Sequence, residues 1–170
     1  PAPLFEKSKI HQLYIKQGRL GDCYFITALS RIAKDGEIVQ ILFETQLPDQ
    51  ILGKVPNSIN IKCGAVVVYF QVFGRRTPVL IDTRIPFLNS IPAFSRPIDK
   101  DKSPWFCLVE KAFAKLNGSY KNIEGGFFSE SFYHLFGYYN KFFYPFTYSA
   151  ENLLKILKYQ KFGCLMDASI

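Results

Sequence analysis

The chain has 170 residues, 48% of them apolar, enough for a buried core and too many for a disordered chain. Its net charge of +7 is scattered in ones and twos with no nucleic-acid-binding motif, so it reads as a solvated basic surface. No apolar run approaches the roughly 18 residues of a membrane span, and the N-terminus carries no apolar signal segment.

These bounds predict one domain, or one subdomain of something larger. The chain starts at Pro1 without a Met, which predicts a processed, excised or incomplete product. Residues 1–16 read as a polar lead-in. The turn Gln17-Gly18-Arg19-Leu20-Gly21-Asp22-Cys23 then runs into a helix that starts near Asp22-Cys23 and stops by Gly36, with Phe25, Ala28, Leu29, Ile32 and Ala33 on one face. A short helix over Ile38–Phe43 precedes an irregular stretch with Pro48, Gly53 and Pro56.

Ala65–Phe73 is rich in β-branched and aromatic residues and reads as a strand. Gly74-Arg75-Arg76 is expected to turn it, and Thr77–Asp82 to return, with Pro78 marking an edge. Residues 83–103, punctuated by Pro86, Pro92 and Pro97, read as a long loop of the kind that is usually functional. The clearest helix carries the stripe Trp105, Leu108, Val109, Ala112, Phe113 and Leu116, with Glu110, Lys111 and Lys115 expected to point away. Asn117-Gly118 should end it with a left-handed cap. Gly125-Gly126 precedes a short helix from about Ser129 to Phe136, closed by Gly137. Ser149 is placed to cap a helix over Ala150–Gln160, and Phe162–Ile170 reads as the start of a strand.

Cys23, Cys63, Cys107 and Cys164 lie far apart with no C-x-x-C pair, which argues against the common zinc patterns. Two disulfides are arithmetically open. A chain this long without a signal segment instead predicts reduced thiols, and an intracellular, cytoplasmic protein. A free cysteine is ordinarily a small buried hydrophobe, but three features set Cys23 apart. It falls in the first turn of a predicted helix, where unpaired N–H groups and the macrodipole favour a thiolate. It follows a glycine-bearing turn that brings backbone N–H groups close to a reacting carbonyl. Gln17, six residues upstream, offers a neutral amide donor of the type that holds an oxyanion.

Gln17-Gly18-x-Leu20-Gly21-Asp22-Cys23, followed by an aromatic and an Ala-Leu-Ser-containing helix, resembles the active-site segment of the calpains. Ile81-Asp82-x-Arg84-x-Pro86 is similar to that family's strand-end motif. Trp105-x-x-Leu108-Val109-Glu110-Lys111-Ala112-Phe113-Ala114-Lys115-Leu116-Asn117-Gly118-Ser119-Tyr120 is similar to its most recognisable helix. Gly125-Gly126 and Ser169-Ile170 continue the likeness, which runs from Gln17 to Ile170 with residues 37–62 poorly matched. The resemblance implies an α+β fold, mostly helical with a small antiparallel sheet, like the first subdomain of a papain-like protease core. Residues 17–170 would form that subdomain, incomplete at its C-terminus.

The implied roles are specific. Cys23 would attack a peptide carbonyl in a protein or peptide substrate. The Gln17 amide and the Cys23 backbone N–H would form the oxyanion hole, and the Gly126 backbone would hold extended substrate. The Trp105–Leu116 helix would be scaffold. This chain departs from the family in four ways. Tyr24 stands where the family usually has Trp. Tyr14 and Ser103 stand where the calcium-regulated members carry acidic ligands, so no metal or other cofactor is expected at those positions. His11 and His134, the two histidines, match no catalytic position. The histidine and asparagine partners would come from a second subdomain, and the isolated chain is expected to be inactive. The alternative is a catalytically silent calpain-like scaffold or regulatory binding module.

Overall fold

The computed structural model describes residues 14–34, 36–43, 64–98, 103–138 and 143–159. His11, Cys63, Cys164 and the strand expected over Phe162–Ile170 lie outside them. The chain divides into two units, Pro1–Tyr138 and Tyr139–Ile170. Among the described residues the architecture is α+β: helices with three two-stranded antiparallel sheets.

In the larger unit, β1 (Ile15–Lys16) leads to α1 (Cys23–Ile32) and α2 (Gly36–Ile41). Phe25, Ala28, Leu29, Ile32 and Ala33 are buried, as the 3.6-residue period requires. The second helix begins and ends two residues earlier than its sequence suggests. Leu42 and Phe43 leave it through Leu42 N–H to Val39 O and Phe43 N–H to Gln40 O bonds, which tighten its end into turns and drop both side chains into the core.

Strands β2 (Ala65–Val72) and β3 (Arg75–Asp82) pair in full register, from Ala65 opposite Asp82 to Val72 opposite Arg75. Val66, Val68 and Phe70 alternate inward on β2, as do Val79 and Ile81 on β3. The turn is Phe73-Gly74, not Gly74-Arg75-Arg76. Both turn residues have positive φ, 49° and 74°, the twist that a two-residue hairpin loop requires. Arg76 is drawn into the strand because its guanidinium lies 4.5 Å from the Tyr69 ring centroid and donates to the Ile41 carbonyl at 2.6 Å.

The expected loop over 83–103 contains short ribbons. Strand β4 (Phe87–Leu88) pairs with β5 (Ile91–Pro92) across Asn89 and Ser90, and β6 (Arg96–Pro97) pairs with β1. Ladders of two residues are too short to imprint a period-2 pattern on the sequence.

Helix α3 (Trp105–Leu116) crosses this assembly, and a 3-10 turn (Tyr120–Ile123) and α4 (Phe128–Phe136) follow. Phe113 of α3 stacks on Phe25 of α1, with centroids 4.1 Å apart and planes 7° apart, and lies 5.7 Å from Phe70 of β2. Gly118, at φ 93°, takes the left-handed position that ends α3. The Glu130 carboxylate accepts from Phe127 N–H at the start of α4, and Gly137 closes that helix at φ 75°. In the smaller unit, Ser149 Oγ accepts from Asn152 N–H and caps α5 (Ala150–Lys158). No helix among the described residues is long and apolar enough to cross a membrane.

Because Phe25 is fully buried on Phe113, Phe25→Ala is expected to cost about 3–5 kcal/mol through lost burial and a cavity. Urea unfolding of the intact protein, followed by near-ultraviolet dichroism, measures it.

Candidate active site

Cys23 is the first residue of α1 and its thiol is free and exposed. The Asp22 carbonyl accepts from Phe25 N–H at 2.9 Å and Ile26 N–H at 3.1 Å, so the helix winds directly from this point. The opening N–H groups of a helix lack intrahelical acceptors and carry its positive dipole end. The chain reaches Cys23 through a turn anchored by the buried Leu20 side chain. Within that turn the Gln17 amide donates to the Leu20 carbonyl at 2.8 Å. A primary amide carries two N–H donors, so this bond orients Gln17 and uses one of them.

The same turn is held from its other side. A Cβ on Gly18 would run into the Phe94 carbonyl, so only glycine permits this approach. Arg19 N–H donates to the Ala93 carbonyl and Ile98 N–H to the Tyr14 carbonyl, and Lys16 pairs with Arg96. Residues 14–19 are thus strapped along 93–98.

Gly126 belongs to the same locality. A Cβ there would fall 2.6 Å from the Tyr24 ring. The Tyr24 hydroxyl donates to the Ile123 carbonyl at 3.2 Å, and Gly125 N–H donates to the Gly21 carbonyl at 2.9 Å. The residue after Cys23 and the residue two before it therefore both grip the glycine pair. Burial pushes the Tyr24 hydroxyl up to about 12, so it remains a donor.

Glu110 corrects the sequence reading, which turned it toward solvent. It is 1% exposed, and Asp22 is 0% exposed. Ser95 N–H donates to both Glu110 oxygens, at 3.2 and 3.0 Å, and the Ser95 hydroxyl donates to Oε2. The apolar stripe of α3 is continuous enough to suggest a wholly hydrophobic buried face. A helix buried on most of its circumference also swallows residues beside the stripe, and α3 buries every residue from Trp105 to Glu110. The one sequence signal for this cluster was the position of Asp22 at a helix start beside the reactive cysteine. Cys107, by contrast, is buried, donates its thiol to the Ser95 carbonyl and has its pKa pushed up by burial, which removes it as a nucleophile.

His134 packs 5.4 Å from the Phe113 ring centroid and 5.7 Å from that of Tyr133. It is a partner of the aromatic core, on α4. Tyr14 is half-buried and its carbonyl accepts from Ile98 N–H, while Ser103 is buried immediately before α3. Neither side chain carries the carboxylate oxygen that calcium prefers. Among the described residues no three His, Cys, Asp or Glu side chains cluster as metal ligands.

Comparison with known proteins returns one family. The family model described as calpain family cysteine protease matches residues 1–170. Calpain clp-4 of Caenorhabditis elegans is 31% identical over 159 residues, covering 92% of this chain and 20% of that protein. Calpain-8 of Rattus norvegicus is 30% identical over 174 residues, covering 99% and 23% respectively. The calpain-type cysteine protease DEK1 of Arabidopsis thaliana is 33% identical over 122 residues, 71% of this chain and 5% of that protein. The chain spans less than a quarter of the length of each of these relatives.

The tight approach at Gly126 predicts strain on substitution. Gly126→Ala is expected to lower the melting temperature of the intact protein, and replacing the ring as well, in a Tyr24→Leu/Gly126→Ala double variant, to recover part of the loss. Differential scanning calorimetry of the two single variants and the double checks the coupling.

Proposed function

The chain belongs to the calpain family of cysteine proteases, and we propose that it is the nucleophile-bearing subdomain of a peptide-hydrolysing core. The observation that carries this reading is the exposed Cys23 thiol at the first residue of a helix, in a turn shared with Gln17 and gripping Gly126 through its neighbour. The helix start favours a thiolate. That thiolate forms a bond to the carbonyl carbon of a protein or peptide substrate. The carbonyl electrons move to oxygen, where the second Gln17 N–H and the Cys23 backbone N–H receive them. The amine leaves with a proton from the base, and water then cleaves the thioester. The Gly126 backbone holds the extended substrate strand, and the Tyr24 ring leaves no room for a side chain at that position.

The base and its orienting group come from a second subdomain carrying histidine and asparagine. His134 packs against Phe113 and is not assigned as the base, and the subdomain by itself is expected to hydrolyse no peptide. Activation does not run through calcium at Tyr14 and Ser103. The alternative of a silent scaffold is separated from the protease by reaction of Cys23 with a peptidyl epoxide, because a scaffold has no thiolate–imidazolium pair to open it.

In the intact protein, Cys23→Ala is expected to abolish peptide hydrolysis, and Gln17→Ala to lower kcat about 10²–10³-fold with a smaller effect on KM. Fluorogenic peptide cleavage measures both; wild-type rates in the Cys23→Ala variant would overturn the assignment. Millimolar calcium is expected to leave the melting temperature of a Tyr14–Ser103 variant pair and of the wild type equally shifted, as calorimetry with and without chelator would report.

A further inference from the structure

We propose that Asp22 and Glu110 share one proton, as a carboxylic acid hydrogen-bonded to a carboxylate, and that this pair positions the Cys23 helix start against the strand that backs Gln17. The positioning half rests on the reading of Cys23 and Gln17 as nucleophile and oxyanion donor; the shared proton does not.

The two carboxyl groups are buried and in hydrogen-bonding contact. Glu110 receives the Ser95 N–H and hydroxyl, whereas among the described residues neither oxygen of Asp22 receives any donor, and its carboxyl does not cap α1. An ionised carboxylate accepts only, so two ionised groups in contact would repel and leave Asp22 unsatisfied in a buried site. One proton between them removes both penalties. It supplies Asp22 with a hydrogen bond and leaves a single charge, which the Ser95 N–H and hydroxyl stabilise.

The surrounding titratable groups add no counter-charge. Cys107 on α3, Tyr120 on the 3-10 turn and Tyr24 on α1 face the pair, all with pKa values pushed up chiefly by burial and further by its negative charge. Asp82 acts on Tyr120 from farther out, and among the described residues no cation acts on either carboxyl. Desolvation pushes Glu110 up to about 8 and raises Asp22 as well, while contact with Ser95 draws Glu110 partly back.

The pair sits at a junction. Asp22 adjoins Cys23 in the chain, and Ser95 adjoins Phe94, whose carbonyl backs Gly18 beside Gln17. A second negative charge would push α3 and the Cys23 turn apart and disturb both oxyanion donors together. The sign of the linkage follows. Because Glu110 is raised above its ordinary 4.5, its contribution to stability is complete below that pH and is lost as pH rises through about 8.

The test uses the intact protein with isotope-labelled carboxyl groups. Infrared spectra at pH about 6 are expected to show a protonated-carboxyl stretch that vanishes in both Glu110→Gln and Asp22→Asn, since an amide donates where the shared proton was. The urea midpoint should fall between pH about 5 and about 9 in the wild type and stay level in Glu110→Gln. The alkaline decline of kcat, and of Cys23 alkylation corrected for thiol ionisation, should flatten in the same variant. Absence of the band at pH about 6 would overturn the proposal even if Cys23-dependent hydrolysis is found. A band without any hydrolysis would sink the protease reading and leave the shared proton standing. A band accompanied by unchanged pH profiles in Glu110→Gln would remove the positioning role. If Glu110→Gln does not fold, Asp22→Asn and the wild-type spectrum decide.

Discussion

A carboxyl group taken out of water needs donors, and the larger unit is arranged around meeting that need at Glu110. Ser95 must approach α3 to donate its N–H and hydroxyl, and with it comes the 93–98 segment. That segment carries the partners of Tyr14, Lys16 and Arg19, so the strand leading to Gln17 is fixed by the same contact. Asp22 closes the junction from the other side. One turn farther along α3, Phe113 stacks on Phe25 and locks the body of α1. The start of α1 is therefore held by polar groups and its middle by aromatic ones. A local error in either would shift Cys23.

Lys111, the next residue of α3, goes the opposite way. Its ammonium donates to the Asp82 carboxylate at 2.8 Å, the Asp82 carbonyl at 3.1 Å and the Arg84 carbonyl at 2.7 Å. All three N–H donors of an ammonium are thereby engaged. The hydrogen bond from Lys111, aided by the Arg84 N–H, holds the Asp82 carboxyl below the usual carboxylate range. Two motifs that are far apart in sequence, Ile81-Asp82-x-Arg84 and Glu110-Lys111, are thus the two halves of one clamp. The clamp fixes the end of the β2–β3 hairpin to the helix, and Lys115 adds a further bond to the Leu80 carbonyl.

These restraints bear on function through rigidity. A nucleophile and its oxyanion donors must be held to a fraction of an ångström before substrate arrives. Here the donors proposed for that role lie on a short turn, which would be mobile if left to itself. The turn is fastened at Gly18 by the Phe94 carbonyl, at Gly21 by Gly125 and at Asp22 by the acid pair. Tyr24 fills the space beneath Gly126, so only the smallest residue fits over its ring.

The sequence alone determined the membership of most elements. Periodicity located α1, α3 and the hairpin because each buries a regular stripe, and a glycine turn before a helix singled out Cys23. It misjudged what depends on contacts across the chain. The hairpin turn moved by a residue because Arg76 found Tyr69 and Ile41; the short ribbons of 87–97 were invisible because two residues make no pattern. Glu110 looked like one of three solvated charges on a helix. Only the tertiary structure separated it from Lys111, since charge type says a group prefers water but not whether a buried donor awaits it. The segment that singles out Cys23 was written locally, in seven consecutive residues. The framework that holds it in place, drawn from residues about a hundred positions away, required the fold.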